Sequence, residues 1–166
     1  LGEGPFGPSP LCGQNILESE IKEKGGYMQT QKQIVTVLED NEFFNRLLVG
    51  RLDEYARRFT WDGEIELQGY CHAGDFLRNL HESTLVAFVD YYLGSSVPTD
   101  EVIRIIREKT PHCTIIVVSR TESDLVVQRA FDAGANGFIP KGPMVFDQVC
   151  LAMEQALRQK WANTGM

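Results

Sequence analysis

The chain has 166 residues, of which 43% are hydrophobic and 23% charged, and its formal net charge is −7. That is enough chain for one domain with an appendage, carrying an ordinary globular core. The acidic balance argues against a nucleic-acid surface, and no apolar stretch reaches the length of a membrane span.

Residues 1–32 read differently from the rest. The run Gly2-Glu3-Gly4-Pro5-Phe6-Gly7-Pro8-Ser9-Pro10 cannot form a regular element. Asn15 before Ile16-Leu17-Glu18 is an N-cap pattern, and Gly25-Gly26 is a stop, so a short helix over 16–24 is expected within a flexible arm or linker. No basic region precedes an apolar segment, so this stretch does not look like a signal peptide.

From Gln33 the pattern is regular. A strand over 33–38 leads into a helix from Glu42 to Arg58, with Phe44, Leu47, Leu48, Leu52, Tyr55, Ala56 and Phe59 as its apolar stripe. A strand from Ile65 to Tyr70 and a helix from Gly74 to Leu80 follow. Next come a strand over 85–89, a loop to Thr99 and a helix from Asp100 to Lys109, beyond which Pro111 blocks continuation. A strand over 113–118 precedes a helix over 122–133. Thr121 is the expected N-cap of that helix, Glu122 and Asp124 are its acidic first turn, and Gly134 is its stop. A strand from Gly137 to Pro140 and a helix from Val145 to Lys160 complete the body, leaving 161–166 as a tail.

Five strands thus alternate with five helices. Two strands are almost wholly apolar, as in a parallel sheet covered on both faces, so the expected class is a doubly wound α/β fold. In such sheets ligand groups gather at the carboxyl ends of the strands. Those ends carry polar residues here. Ile34-Val35-Thr36-Val37-Leu38 ends in Glu39-Asp40, Leu85-Val86-Ala87-Phe88-Val89 in Asp90, Thr114-Ile115-Ile116-Val117-Val118 in Ser119, and Phe138-Ile139-Pro140 in Lys141. No GxGxxG or GxxxxGK[ST] loop is present, so nucleotide binding of the usual kinds is unsupported.

If the first and third strands are neighbours, Glu39, Asp40 and Asp90 share a pocket. Three carboxylates so close must take up a proton or a cation, and an all-oxygen set suits Mg2+. Lys141 adds a positive charge and Ser119 a hydroxyl. Together they suit a phosphoryl group received by an Asp nucleophile. Ser119 by itself reads more often as a helix-capping or loop hydroxyl, and only its register with the acids raises it. Phe138 by itself reads as core or as a switch.

Cys12, Cys71, Cys113 and Cys150 form no CxxC pair and read as reduced, mostly buried thiols of a cytoplasmic protein. Cys71 and His72 are adjacent in an extended segment, so they point apart and are poorly placed to chelate a metal.

The segments Leu38-Glu39-Asp40-Asn41, Val89-Asp90-Tyr91-Tyr92-Leu93, Val117-Val118-Ser119 and Gly134-Ala135-Asn136-Gly137-Phe138-Ile139-Pro140-Lys141 resemble, in order and spacing, the receiver domain of two-component response regulators. The resemblance covers about residues 33–160 and implies a flavodoxin-like (βα)5 sheet of strand order 2-1-3-4-5. It implies that Asp90 accepts a phosphoryl group from a sensor histidine kinase or phosphotransfer protein, so the domain is a signalling switch rather than an enzyme. Glu39, Asp40, Asp90 and the Tyr92 backbone carbonyl would hold Mg2+. Lys141 would pair with the phosphoryl oxygens. Ser119 and Phe138 would act as the switch, read by an effector or a second copy at the face of the fourth helix, fifth strand and fifth helix.

The chain departs from the family pattern in four places. Arg120 replaces a small residue after Ser119, and Gly142-Pro143 follows Lys141 where Pro is usual. Gly94 stands where Pro is common, and bulky Tyr92 occupies a position that faces incoming water. These leave open a receiver-like interaction module that works without phosphorylation. A Mg2+-dependent hydrolase on a similar scaffold would want a second Asp at position 92.

Overall fold

The computed structural model describes residues 32–58, 63–121 and 123–164. The short helix expected over 16–24, and Phe59 and Glu122, lie outside the described residues.

Among the described residues, five parallel strands alternate with five helices. In chain order they are β1 (Gln33–Leu38), α1 (Glu42–Ala56), β2 (Ile65–Tyr70), α2 (Ala73–Asn79), β3 (Thr84–Asp90), α3 (Thr99–Lys109), β4 (Thr114–Ser119), α4 (Asp124–Ala133), β5 (Gly137–Pro140) and α5 (Val145–Thr164). The strands lie in the order β2-β1-β3-β4-β5, as the resemblance implied.

Alternation along the strands divides the core in two. Val35, Val37, Val86, Phe88, Ile116 and Val118 pack with α1 and α5 on one side of the sheet. Leu38, Ala87, Val89, Ile115 and Val117 pack with α2, α3 and α4 on the other. Central β1 and β3 are buried at every position, whereas edge strand β2 is half-buried.

Several boundaries differ from the sequence reading. The fourth helix starts at Asp124 with Ser123 at its N-cap position, so the expected cap at Thr121 is corrected. The Thr121 hydroxyl instead accepts from Ser123 N at 3.3 Å, forming a loop turn before the helix. The last helix runs past Lys160 to Thr164, since Trp161 still packs on the core and extends the buried stripe. On α1 the buried residues are Asn45, Leu48, Leu52 and Ala56. Leu47, read as part of the stripe, is 42% exposed because the buried line runs one residue to its side.

Gly134 closes α4 as expected. Its φ of 117° is in the left-handed region, its amide donates to Phe131 O, and Ala135 N donates to Ala130 O. Cys71, Cys113 and Cys150 are free thiols, the latter two buried. Burial pushes the Cys113 thiol up to about 12. No described helix is long and apolar enough to cross a membrane.

Candidate functional site

The register of β1 against β3 builds the site. Leu38 pairs with Val89, so Glu39 and Asp90 leave the sheet side by side. Ser119 pairs with Pro140 on β5, which brings Lys141 out just beyond Ser119. All four sequence-derived strand ends therefore open on one edge.

Glu39, Asp40 and Asp90 each offer an oxygen, and these three atoms lie within 4.8 Å of one another. Glu39 and Asp90 are buried and Asp40 is exposed. From β5, at the far side of the sheet, Lys141 reaches back to both buried acids. Its Nζ lies 2.5 Å from Glu39 Oε2 and 3.1 Å from Asp90 Oδ1, with only 8% of the lysine side chain exposed. Three carboxylates facing one ammonium leave the cluster net negative when all are ionised. Burial, together with the neighbouring acids and in spite of Lys141, raises the Glu39 and Asp90 carboxyls above their ordinary values.

Backbone amides hold the acids in place. Asn41 N donates to Glu39 Oε1 at 3.2 Å, Gly94 N to Asp40 Oδ2 at 3.0 Å, and Tyr92 N to Asp90 Oδ1 at 3.4 Å. Asn41 also caps α1, its side chain accepting from Phe44 N at 2.9 Å. One short segment thus supplies two acids and starts a helix. A Cβ on Gly94 would lie 3.1 Å from Asp40 Oδ2, so the Gly94 departure leaves room for this contact.

The donor set fits a hard divalent cation. The three side chains offer only oxygen, two are buried and preplaced, and exposed Asp40 leaves the cluster open to water, which Mg2+ retains in its shell.

Ser119 is fully buried at the end of β4, its Oγ accepting from Thr121 N at 3.3 Å. Phe138 is half-buried against the α2–α3–α4 core. Arg120 is exposed. The loop after Lys141 is tied to the sheet, with Lys141 N donating to Ser119 O at 2.7 Å and Gly142 N to Pro140 O at 2.8 Å. Tyr92 is 56% exposed, and its ring meets that of Tyr91 edge-on at 5.3 Å between centroids.

Two residues at the site were not singled out for it in the sequence. Asn45 is buried on α1, and its Nδ2 donates to Glu39 O at 3.1 Å and Tyr70 O at 2.8 Å. Phe44 carries the Lys141 ammonium over its ring, 4.9 Å from the centroid. An Asn inside an apolar helical stripe was the available signal for the first; nothing local signalled the second.

No protein-family model matches the sequence, and no curated protein matches it. Solved structures do match. The BeF3-activated receiver domain of DrrB, a Thermotoga maritima OmpR/PhoB homologue, aligns at TM-score 0.61 and 20% identity over 77% of this chain and 99% of its own. A CheY-like receiver domain protein from Methanospirillum hungatei aligns at 0.65 and 16% identity over 80% and 99%. A Burkholderia pseudomallei response regulator, solved with a phosphorylated aspartic acid and a calcium ion, aligns at 0.62 and 20% identity over 80% and 72%. The match spans 54% of the longer DrrB chain. At these identities the likeness establishes the architecture: this chain has the fold of a response-regulator receiver domain.

Proposed function

We propose that the domain is a phosphoacceptor switch. The observation that carries this is the Asp90 carboxylate, which ends a fully buried strand beside Glu39 and Asp40 and lies 3.1 Å from Lys141 Nζ. A lone pair on an Asp90 oxygen attacks the phosphorus of a phosphohistidine on a kinase or phosphotransfer protein. The phosphorus–nitrogen bond breaks, and its electron pair leaves on the imidazole. Lys141 balances charge on the phosphoryl oxygens as they arrive. Glu39, Asp40, Asp90 and the Tyr92 carbonyl would hold Mg2+, which when bound offsets negative charge shared by the acids and the phosphoryl group. Water later cleaves the aspartyl phosphate, releasing phosphate and restoring the carboxylate.

The buried Ser119 hydroxyl is the group that turns toward the phosphoryl oxygens, and Phe138 follows it inward. The face of α4, β5 and α5 is what an effector, or a second copy, reads. The domain is a cytoplasmic signalling switch whose only chemistry is transfer to itself and slow self-dephosphorylation. It binds no nucleic acid directly.

Intact mass after incubation with acetyl phosphate tests this. Wild type should gain one phosphoryl group in Mg2+, and neither wild type in EDTA nor Asp90→Asn should gain any. No gain in wild type, with a partner bound regardless, would establish an interaction module instead. Repeated turnover of a phosphoester would establish a hydrolase.

A further inference from the structure

Lys141 presents a positioning problem. Its side chain is long and flexible, and it must cross from β5 to acids on β1 and β3. The residue after it is Gly142, around whose Cβ position nothing lies within 4 Å. Gly142 itself therefore has no side chain with which to steer the lysine. Both carboxylates that hold the ammonium have other duties in the proposed reaction, since Asp90 receives the phosphoryl group and Glu39 belongs to the cation cluster. An aromatic ring face can hold the ammonium without taking part in either duty.

The structure contains one. The Phe44 ring lies under Lys141 Nζ, 4.9 Å from ammonium to centroid. Its own orientation is set by Phe146 of α5, with centroids 5.9 Å apart and planes at 43°. Both rings are partly buried and pack against the α1–α5 side of the core. The ring face attracts the ammonium through its quadrupole, most strongly where water is excluded, and the lysine side chain is 8% exposed. It offers no lone pair that would compete for a cation or for a phosphoryl oxygen.

We infer that Phe44 is a positioning residue: its ring holds the Lys141 ammonium at the acid cluster by a cation–π contact while Glu39 and Asp90 exchange partners. The role of the contact in turnover rests on the phosphoacceptor reading. The contact itself does not.

The test replaces Phe44 with phenylalanine analogues bearing successively more ring fluorines, which drain the π face and leave the shape nearly unchanged. Phe44→Leu and Phe44→Trp complete the series. The rate constant for phosphorylation by acetyl phosphate should fall stepwise with fluorination and roughly tenfold in Phe44→Leu, and should be retained in Phe44→Trp. Mg2+ affinity, read from amide resonances, should stay constant. A merely structural role for the ring would not produce the fluorine dependence, and a flat series overturns the inference. The same samples without donor give a second readout. The Lys141 ε-methylene resonance should be shifted upfield by the ring and return to an ordinary lysine position in Phe44→Leu. If wild type takes no phosphoryl group, the proposed function fails and this resonance alone decides the positioning, an unshifted signal overturning it.

Discussion

The side-chain amide of Asn45 donates to the Glu39 carbonyl at 3.1 Å, tying α1 to the end of the strand that carries the acids. The same nitrogen reaches Tyr70 O at 2.8 Å, and that carbonyl also accepts from Glu39 N at 3.0 Å. One buried amide thus joins the carboxyl ends of β1 and β2. Asn45→Leu should lower stability by about 1–3 kcal/mol, because the buried Glu39 carbonyl loses this donor and the Tyr70 carbonyl is left with Glu39 N alone. Urea denaturation would measure it, and an unchanged midpoint would refute it. Gly69 lies opposite, where a Cβ would come 2.4 Å from Asn45 Oδ1, so Gly69→Ala should displace the same amide and destabilise too.

The acid cluster should make stability depend on pH. Burial raises both the Glu39 and Asp90 carboxyls, so the fold favours their neutral forms. That contribution is fully present below the ordinary carboxylate range near pH 4 and is lost as pH rises through the raised folded values. In EDTA, Asp90→Asn should therefore gain in Tm relative to wild type from about pH 4 towards neutrality. Added Mg2+ should recover more Tm in wild type than in the variant, by mass action on the folded state. Parallel Tm curves for the two proteins would contradict this.

Tyr92 should govern how long the phosphoryl group persists. It follows Asp90 by two residues, stands 56% exposed at the mouth, and meets the Tyr91 ring edge-on. A side chain of that size shields the approach of water, so Tyr92→Ala should shorten the half-life of phosphorylated Asp90 several-fold. The decay of the phosphorylated mass after donor removal measures it. A half-life unchanged or longer would count against the shielding role.

Arg107 should prove more than a surface charge. Its guanidinium donates to Gly134 O, Pro111 O, Cys113 O and Asn136 Oδ1, joining the ends of α3 and α4 to the start of β4. Asn136 Oδ1 accepts from Ile115 N as well, at 2.8 Å. A lysine lacks the planar fork needed for so many acceptors. Arg107→Lys should cost about 1.5–3 kcal/mol, read by denaturation, although the charge is unchanged.

The strand ends were legible because each apolar run stops at a polar residue, which marks both a boundary and a solvent-facing edge. Gly134 was legible because a helix stop needing positive φ favours glycine. Thr121 misled, since a hydroxyl that suits an N-cap suits a loop turn equally well, and only the path of the chain chose between them. Asn45 and Leu47 show the limit of periodicity. Both fit near the stripe by spacing, yet Asn45 is buried, where its amide donates to the carbonyls of Glu39 and Tyr70 at the strand ends.

By itself the sequence determined the alternation of strands and helices, the class of fold, and the residues standing at the sheet's carboxyl edge. Those are local properties, set by the period of apolar residues and by what interrupts it. The family resemblance, not any local pattern, implied β1 between β2 and β3; only the tertiary structure levelled Glu39 with Asp90 and brought Lys141 across the sheet to both. It alone set Phe44 beneath that lysine. These relations join residues up to 102 positions apart. They arise from strand order, register and the packing of α1 against α5, which no window along the chain encodes.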